Sequence, residues 1–125
     1  MYLVYQYSSS MTSTFLSNWE IQVRKGLVEL CILNVISQHE MYGYDIVRKL
    51  TEGGSITATV GTVYPLLSRL RREGLIEATL KESDQGPARK YYKISPYGIS
   101  TLRKMNSLWD EVVRSVEASQ QEGKS

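Results

Sequence analysis

The sequence contains very few of the residues that build disulfides and metal sites. Among its 125 residues there is one cysteine, Cys31, and one histidine, His39. A single cysteine excludes an internal disulfide and a cysteine-based zinc site, and a single histidine excludes a multi-histidine metal site. We therefore expect no metal and no other cofactor, and a reducing, cytoplasmic location.

Long apolar runs are also missing. No stretch approaches the roughly 20 residues that a membrane-spanning helix needs. Hydrophobic residues make up 42% of the chain and charged residues 22%, as in an average globular protein, so wholesale disorder is excluded. A chain of this length fits one domain with a modest core and little room for a large catalytic cleft.

The sequence also lacks the usual constellations of an active site. It shows no nucleophile–base pair, no paired carboxylates, no phosphate-cradling loop and no metal cluster. These are the arrangements by which an uncharacterised enzyme is recognised. We therefore predict that the protein is not an enzyme.

The charge that is present is unevenly distributed. Residues 48–104 carry eleven basic and five acidic side chains, a net charge of +6, whereas the rest of the chain carries −4. A basic middle with acidic ends favours a surface that faces a polyanion. Chance patchiness of a solvated surface is the alternative at this point.

The first predicted helix runs from about Asn18 to Gln38, with Asn18 as its N-cap. It is apolar on nearly every face, which is typical of a helix buried all round. In so small a domain this favours packing against a second chain, with Leu27 and Cys31 as candidate dimer contacts. Residues 1–18 carry no charge and are predicted to form a flexible N-terminal extension.

Two shorter helices are predicted next, over about 44–52 and 59–73, with a turn at 39–43 before them. Glycines end both helices. In the third helix, apolar residues recur at helical spacing and predict a buried stripe of Val63, Leu66, Leu67 and Leu70.

Two strands, 75–81 and 89–95, are predicted to form a hairpin around the loop 82–88. Ser95 then caps a last helix that has Pro96 at its first position. Its apolar residues recur at alternating spacings of three and four, which is typical of a coiled-coil seam. We predict a dimerisation helix over 96–118, followed by a flexible tail over 119–125, with these seam residues at the interface: Leu102, Met105, Trp109, Val112 and Val116.

Three helices followed by a hairpin form the plan of a winged helix-turn-helix, here over residues 19–95. The predicted fold class is therefore mainly α with a small β-hairpin and a C-terminal dimerisation helix. In this plan the third helix enters the DNA major groove, and the hairpin, or wing, contacts the backbone or the minor groove. Hydroxyl and guanidinium groups suit both roles, and the candidate DNA-binding residues are Thr62, Tyr64, Ser68, Arg69, Arg72, Arg89 and Lys90.

Geometry limits how many of these residues reach DNA. The arginines at 69, 71 and 72 are spread around the helix by 100° per residue, so we expect at least one to pair with Glu73 or to lie in solvent. Arg89 and Lys90 point to opposite faces of a strand, so one leans away from DNA. Tyr64 has the alternative of packing over the helix start near Pro65.

Four segments, taken in order, resemble the motifs of PadR-type regulators. Residues 41–46 (MYGYDI) resemble the family's YGYEI signature, and 61–67 (GTVYPLL) resemble GTLYPLL. Residues 71–76 (RREGLI) resemble EKEGLI, and 86–92 (GPARKYY) resemble GRPRKYY. The ordered set spans about residues 25–116 and is far more specific than any one motif. The single C-terminal helix resembles the small subfamily.

The resemblance implies a homodimeric transcriptional repressor that binds a pseudo-palindromic operator. It also implies relief of repression by a small aromatic or lipophilic ligand, stacked on a tryptophan of the C-terminal helix. Trp109 occupies the matching place, so Trp109 and Met105 are the candidate ligand-binding residues, although Trp109 also suits the dimer core. The partners expected are double-stranded DNA, a second copy of the chain and a small effector, with no membrane.

A different function remains open for the same fold. A winged helix can bind another protein without binding specific DNA, because the fold alone does not determine the function. Such a module would present a neutral or acidic face on its third helix. The arginines of the third helix and the basic wing favour DNA.

Overall fold

The structure is a computed structural model that describes residues 8–123 except Ser55 and Thr57, with side chains from 14 to 121. In chain order its elements are α1 (Ser8–Gln38), β1 (Met41–Tyr42), α2 (Gly43–Glu52), α3 (Val60–Arg72), β2 (Ile76–Ser83), β3 (Gly86–Ile94) and α4 (Pro96–Gly123). The predicted order of three helices, a hairpin and a last helix is confirmed, and one short additional strand, β1, lies between the first two helices. Within this part of the chain, no helix is both long and apolar enough to cross a membrane.

Helix α1 begins at Ser8, so the predicted N-cap at Asn18 is wrong and Asn18 lies inside the helix. A capping preference contributes only about 1 kcal/mol, and no proline or glycine lies between Ser8 and Lys25 to stop the helix. Much of the segment predicted to be flexible is thus helical. The remainder of that predicted extension, residues 1–7, lies outside the described residues.

The segment predicted as a turn before α2 contains a two-residue strand, β1. It pairs with β3, with Met41 opposite Tyr92 and Tyr42 opposite Tyr91. The sheet therefore has three antiparallel strands in the order β1-β3-β2, and the predicted hairpin is its larger part. A two-residue strand is too short to show an alternating pattern, which is why the sequence did not indicate it.

The hydrophobic core lies between α1, α2, α3 and the inner face of the sheet. Its centre is formed by side chains that are at most 2% exposed: Ile32, Leu33, Ile36, Ile46, Val63, Leu67 and Ile76. The sequence pattern predicted the stripe on α3, of which Val63, Leu67 and Leu70 are buried and Leu66 is half-buried.

A glycine connects α3 to the wing. Gly74 has a φ of +82°, a conformation that side chains disfavour, and it reverses the chain after α3. The backbone N–H of Leu75 then donates to the carbonyl of Leu70 at 2.9 Å, which closes the helix end. Strand β2 therefore starts directly against the helix that precedes it.

Helix α4 starts as predicted. The Ser95 hydroxyl accepts a hydrogen bond from the N–H of Gly98 at 2.9 Å, as an N-cap does. The helix continues to Gly123, beyond the predicted end at 118, so that much of the predicted tail is helical, while residues 124 and 125 lie outside the described residues. The side-chain amides of Asn34 and Asn106 exchange two hydrogen bonds, of 3.0 and 2.9 Å, where α4 crosses α1.

Candidate nucleic-acid interface

Helix α3 presents a polar face away from the core. Thr62, Ser68 and Arg72 are all exposed there, opposite the buried stripe. The Thr62 hydroxyl lies 3.4 Å from the Thr59 hydroxyl at the start of the helix. Hydroxyls and a guanidinium group on one exposed helix face offer hydrogen bonds to phosphates and base edges.

Arg69 lies on the same face, between Thr62 and Arg72, but its guanidinium is engaged by α1. Its guanidinium Nη1 lies 3.1 Å from Oε2 of Glu29 on α1. The sequence predicts that at least one of the three arginines pairs with Glu73 or lies in solvent. Arg71 and Arg72 are exposed and form no ion pair with any described residue, as the second alternative expects, whereas Arg69 pairs with Glu29 and not with Glu73. Glu29 and Arg69 lie 40 positions apart in the sequence, so no local pattern could have indicated the pair.

Tyr64 packs on the start of α2 while remaining half-buried. A Cβ atom added to Gly43 would lie 2.9 Å from the Tyr64 hydroxyl, so only a glycine lets the ring approach so closely. Burial, and to a lesser degree the neighbouring Tyr42, raises the pKa of Tyr64 above its ordinary value. Tyr64 therefore has the packing role that was the alternative to DNA contact. It packs on Gly43 and not near Pro65.

The two basic residues of the wing point to opposite faces of the sheet. Arg89 pairs with Lys81 and Lys90 with Leu80 along the hairpin. Lys90 shares its face with the buried Tyr92, whose pKa is raised mainly by burial and also by Tyr64 of α3. Lys90 therefore lies on the face of the sheet that packs on α3, and Arg89 lies on the outer face.

On the outer face, Arg89 stacks on a ring of β1. Its guanidinium carbon lies 4.8 Å from the centroid of the Tyr42 ring. Next to this pair, the Lys81 ammonium lies 5.0 Å from the centroid of Tyr91 and 2.6 Å from a carboxylate oxygen of Glu40. The sequence did not indicate Tyr42 and Glu40 as partners of the wing, because these interactions depend on the pairing of β1 with β3.

The predicted dimer seam leaves the core as α4 proceeds. Leu102 is buried and Met105 half-buried, but Trp109, Val112 and Val116 are 39%, 41% and 51% exposed. On α1, the predicted contacts Leu27 and Cys31 are partly buried against the core, and burial raises the pKa of the Cys31 thiol. An apolar stripe that one protomer leaves uncovered is typical of an interface.

The two candidate ligand-binding residues differ in their surroundings. Met105 lines a cavity of about 290 Å³ together with Glu29, Arg69 and Tyr97, and Trp109 is not among the residues that line it. Within the described part of the chain, no group of three or more His, Cys, Asp or Glu side chains is placed to hold a metal ion.

Comparison with known proteins identifies the family. The profile of the transcriptional regulator PadR-like family matches residues 32–104, more than half of the chain. A PadR-like transcriptional regulator from Bacillus cereus is 44% identical in sequence, with a TM-score of 0.72, and the match covers 80% of this chain and 97% of that one. A PadR family regulator from Eggerthella lenta has a TM-score of 0.79 at 26% identity and covers 87% and 95%.

A further protein that is similar to this chain is also described as a transcriptional regulator. A transcriptional regulator of Mycobacterium tuberculosis is 29% identical over 99 residues, which cover 79% of this chain and 91% of the relative. The predicted resemblance and the winged-helix fold are confirmed. The chain belongs to the PadR-like family of transcriptional regulators, which act through DNA and are not enzymes.

Proposed function

We propose that the protein is a dimeric repressor that binds a pseudo-palindromic operator through α3 and the wing. The observation that carries this proposal is the exposed face of Thr62, Ser68 and Arg72 on α3, with Lys90 on the sheet face that packs on the same helix. Both elements then approach one duplex from the same side, α3 in the major groove and the wing at the backbone. We propose a cytoplasmic location, because the similar regulators come from bacteria, whose DNA lies in the cytoplasm.

The dimer part of the proposal is supported by two apolar surfaces. The exposed seam of Trp109, Val112 and Val116 on α4 is one of them. The N-terminal half of α1 adds Phe15 and Trp19, which are 75% and 53% exposed and lie one helical turn apart. In a two-fold dimer both surfaces become covered, and the two α3 helices read half-sites about 34 Å apart.

The effector part of the proposal rests on Trp109. Its ring lies on the exposed seam, so in a dimer it faces the second copy, where a flat aromatic or lipophilic molecule could stack between the subunits. Met105 lies one turn before it and offers an adaptable thioether contact. Because Trp19 is the only other tryptophan, a Trp19→Phe variant makes quenching by an effector report on Trp109 alone.

The test is fluorescence anisotropy with labelled DNA from the region upstream of the protein's own gene, against scrambled DNA, at several salt concentrations. We expect binding that is tighter than to scrambled DNA by about 10³-fold or more and that weakens steeply with salt. Equal, weak binding to both DNAs with a shallow salt slope, extended to genomic fragments, would favour the protein-binding alternative.

A further inference from the structure

The outer half of the wing projects beyond the hydrophobic core. From Thr79 to Lys90 every residue except Ser83 is exposed, so neither face of the ribbon packs on the helices there. A two-stranded ribbon without a core is only marginally ordered in water. Something else must hold the wing if its basic end is to keep a fixed position relative to α3.

Five side chains on the outer face of the sheet supply such a support, which we call the outer-face stack: Glu40, Tyr42, Lys81, Arg89 and Tyr91. The rings of Tyr42 and Tyr91 lie side by side, with centroids 5.8 Å apart and a tilt of 40°. Each ring carries one cation, Arg89 over Tyr42 and Lys81 over Tyr91. Rings and cations attract each other through the ring quadrupole.

The stack links all three strands. Since β3 lies between β1 and β2, Lys81 of β2 crosses the middle strand to reach Glu40 beside β1, with 2.6 Å between Nζ and Oε1. Arg89 of β3 leans the same way, onto Tyr42 of β1. Both wing strands are therefore tied to the short segment of residues 40–42.

The residue that follows this segment packs against α3, the helix that we propose to read DNA. Residue 43, the next along the chain, is the glycine on which Tyr64 of α3 packs. A continuous path thus runs from the Arg89 guanidinium to the Tyr42 ring, along the chain to Gly43, and from Gly43 to the Tyr64 ring. The two elements that we propose to contact DNA meet at residues 40–43.

We propose that Glu40 and Tyr42 are positioning residues for DNA binding, which hold the wing at a fixed place relative to α3. The inference rests on the proposed function, because it requires that the wing contact the operator. Neither side chain needs to touch DNA itself. Holding Lys81 and Arg89 before binding removes part of the ordering cost that a loose wing would incur on the duplex.

The first test compares two charge-matched variants, Glu40→Gln and Glu82→Gln. Each removes one negative charge near the wing, which by itself favours DNA binding. Glu82 is exposed and forms no ion pair with any residue that the structure describes. We expect Glu40→Gln to weaken operator binding about 3- to 10-fold and Glu82→Gln to leave it unchanged or tighter.

The second test uses the ring. Tyr42→Leu should weaken binding by a similar factor, whereas Tyr42→Phe keeps the ring and should bind as the wild type does. In an Arg89→Ala background the Tyr42→Leu effect should largely disappear, because the cation that the ring holds is gone. Hydrogen exchange at the wing amides should accelerate in Glu40→Gln and Tyr42→Leu, and not in their controls.

The outcomes separate the two proposals. A wild-type protein that binds no DNA specifically removes the proposed function, and this inference with it. The positioning role alone is overturned if the wild-type protein binds its operator tightly but the variants do not behave as expected. In that case Glu40→Gln and Glu82→Gln bind the operator with equal affinity, and the losses of affinity from Tyr42→Leu and Arg89→Ala add up in the double variant. Thermal melting checks that each variant is folded. If Tyr42→Leu does not fold, Glu40→Gln still decides the question, because it changes one partly exposed carboxylate to an amide of the same size.

Discussion

Arg69 of α3 and Glu29 of α1 form an ion pair that joins the helix we propose to read DNA to the long first helix. The guanidinium Nη1 lies 3.1 Å from Oε2 of the carboxylate. The Arg69 side chain is 58% exposed, so solvent screens the pair. The Glu29 carboxylate nevertheless neutralises part of the Arg69 charge before any DNA binds. Arg72 has no ion pair with any residue of the described part of the chain, and its charge remains available to a phosphate.

We predict that Arg72→Ala and Arg69→Ala affect DNA binding differently. Removing the Arg72 guanidinium should weaken binding to all DNA and lower the slope of log affinity against log salt by about 1. Arg69→Ala should change that slope less and lower the free energy of unfolding by under about 1 kcal/mol. Anisotropy titrations at several salt concentrations measure both slopes, and equal slopes would contradict the assignment.

Replacing Arg89 and Lys90 together with alanine should remove the basic end of the wing. We expect weaker binding to specific and scrambled DNA alike, with the salt slope reduced by about 1 for each phosphate that the wing no longer neutralises. Replacing Arg103 and Lys104 together with alanine removes two exposed cations of α4 and serves as the control for the change in net charge. A double variant with unchanged salt dependence would rule out the wing as a DNA-binding element.

Val112→Asp should break the proposed dimer. In the assembled seam the new carboxylate would be buried without a partner, which costs several kcal/mol. Ser107→Asp, on the exposed opposite side of α4, adds the same charge and should leave the dimer intact. Sedimentation velocity distinguishes the two, and a Val112→Asp protein that stays dimeric would place the interface elsewhere.

Two glycine-to-alanine substitutions should have opposite effects on stability. At Gly98, on the first turn of α4, a Cβ would overlap the Leu75 carbonyl oxygen and lie 2.8 Å from the Ile94 side chain. We expect Gly98→Ala to lower the free energy of unfolding by about 1–3 kcal/mol. A Cβ at Gly26 meets nothing within 4 Å, so Gly26→Ala should stabilise α1 by about 0.5–1 kcal/mol. Denaturant unfolding measures both values.

Much of the fold was predictable because its signals are local. Ser95 before Pro96 indicated the start of α4, and the spacing of Val63, Leu67 and Leu70 indicated α3. These features depend on residues within one or two turns of each other. The start of α1 was missed for the same reason: a local cap signal at Asn18 suggested a boundary where nothing in the chain interrupts the helix.

The candidate site also has features that local sequence signals determine and features that they do not. The sequence by itself determined which face of α3 is polar, where the wing carries its basic residues, and that an apolar seam follows on α4, because periodicity and charge are properties of adjacent residues. Only the tertiary structure decided that Arg69 is held by Glu29 and that Arg89 stacks on Tyr42. Those pairs join residues 40 and 47 positions apart, and such partners meet only after the common core has brought α1 and α3 together and β1 has paired with β3.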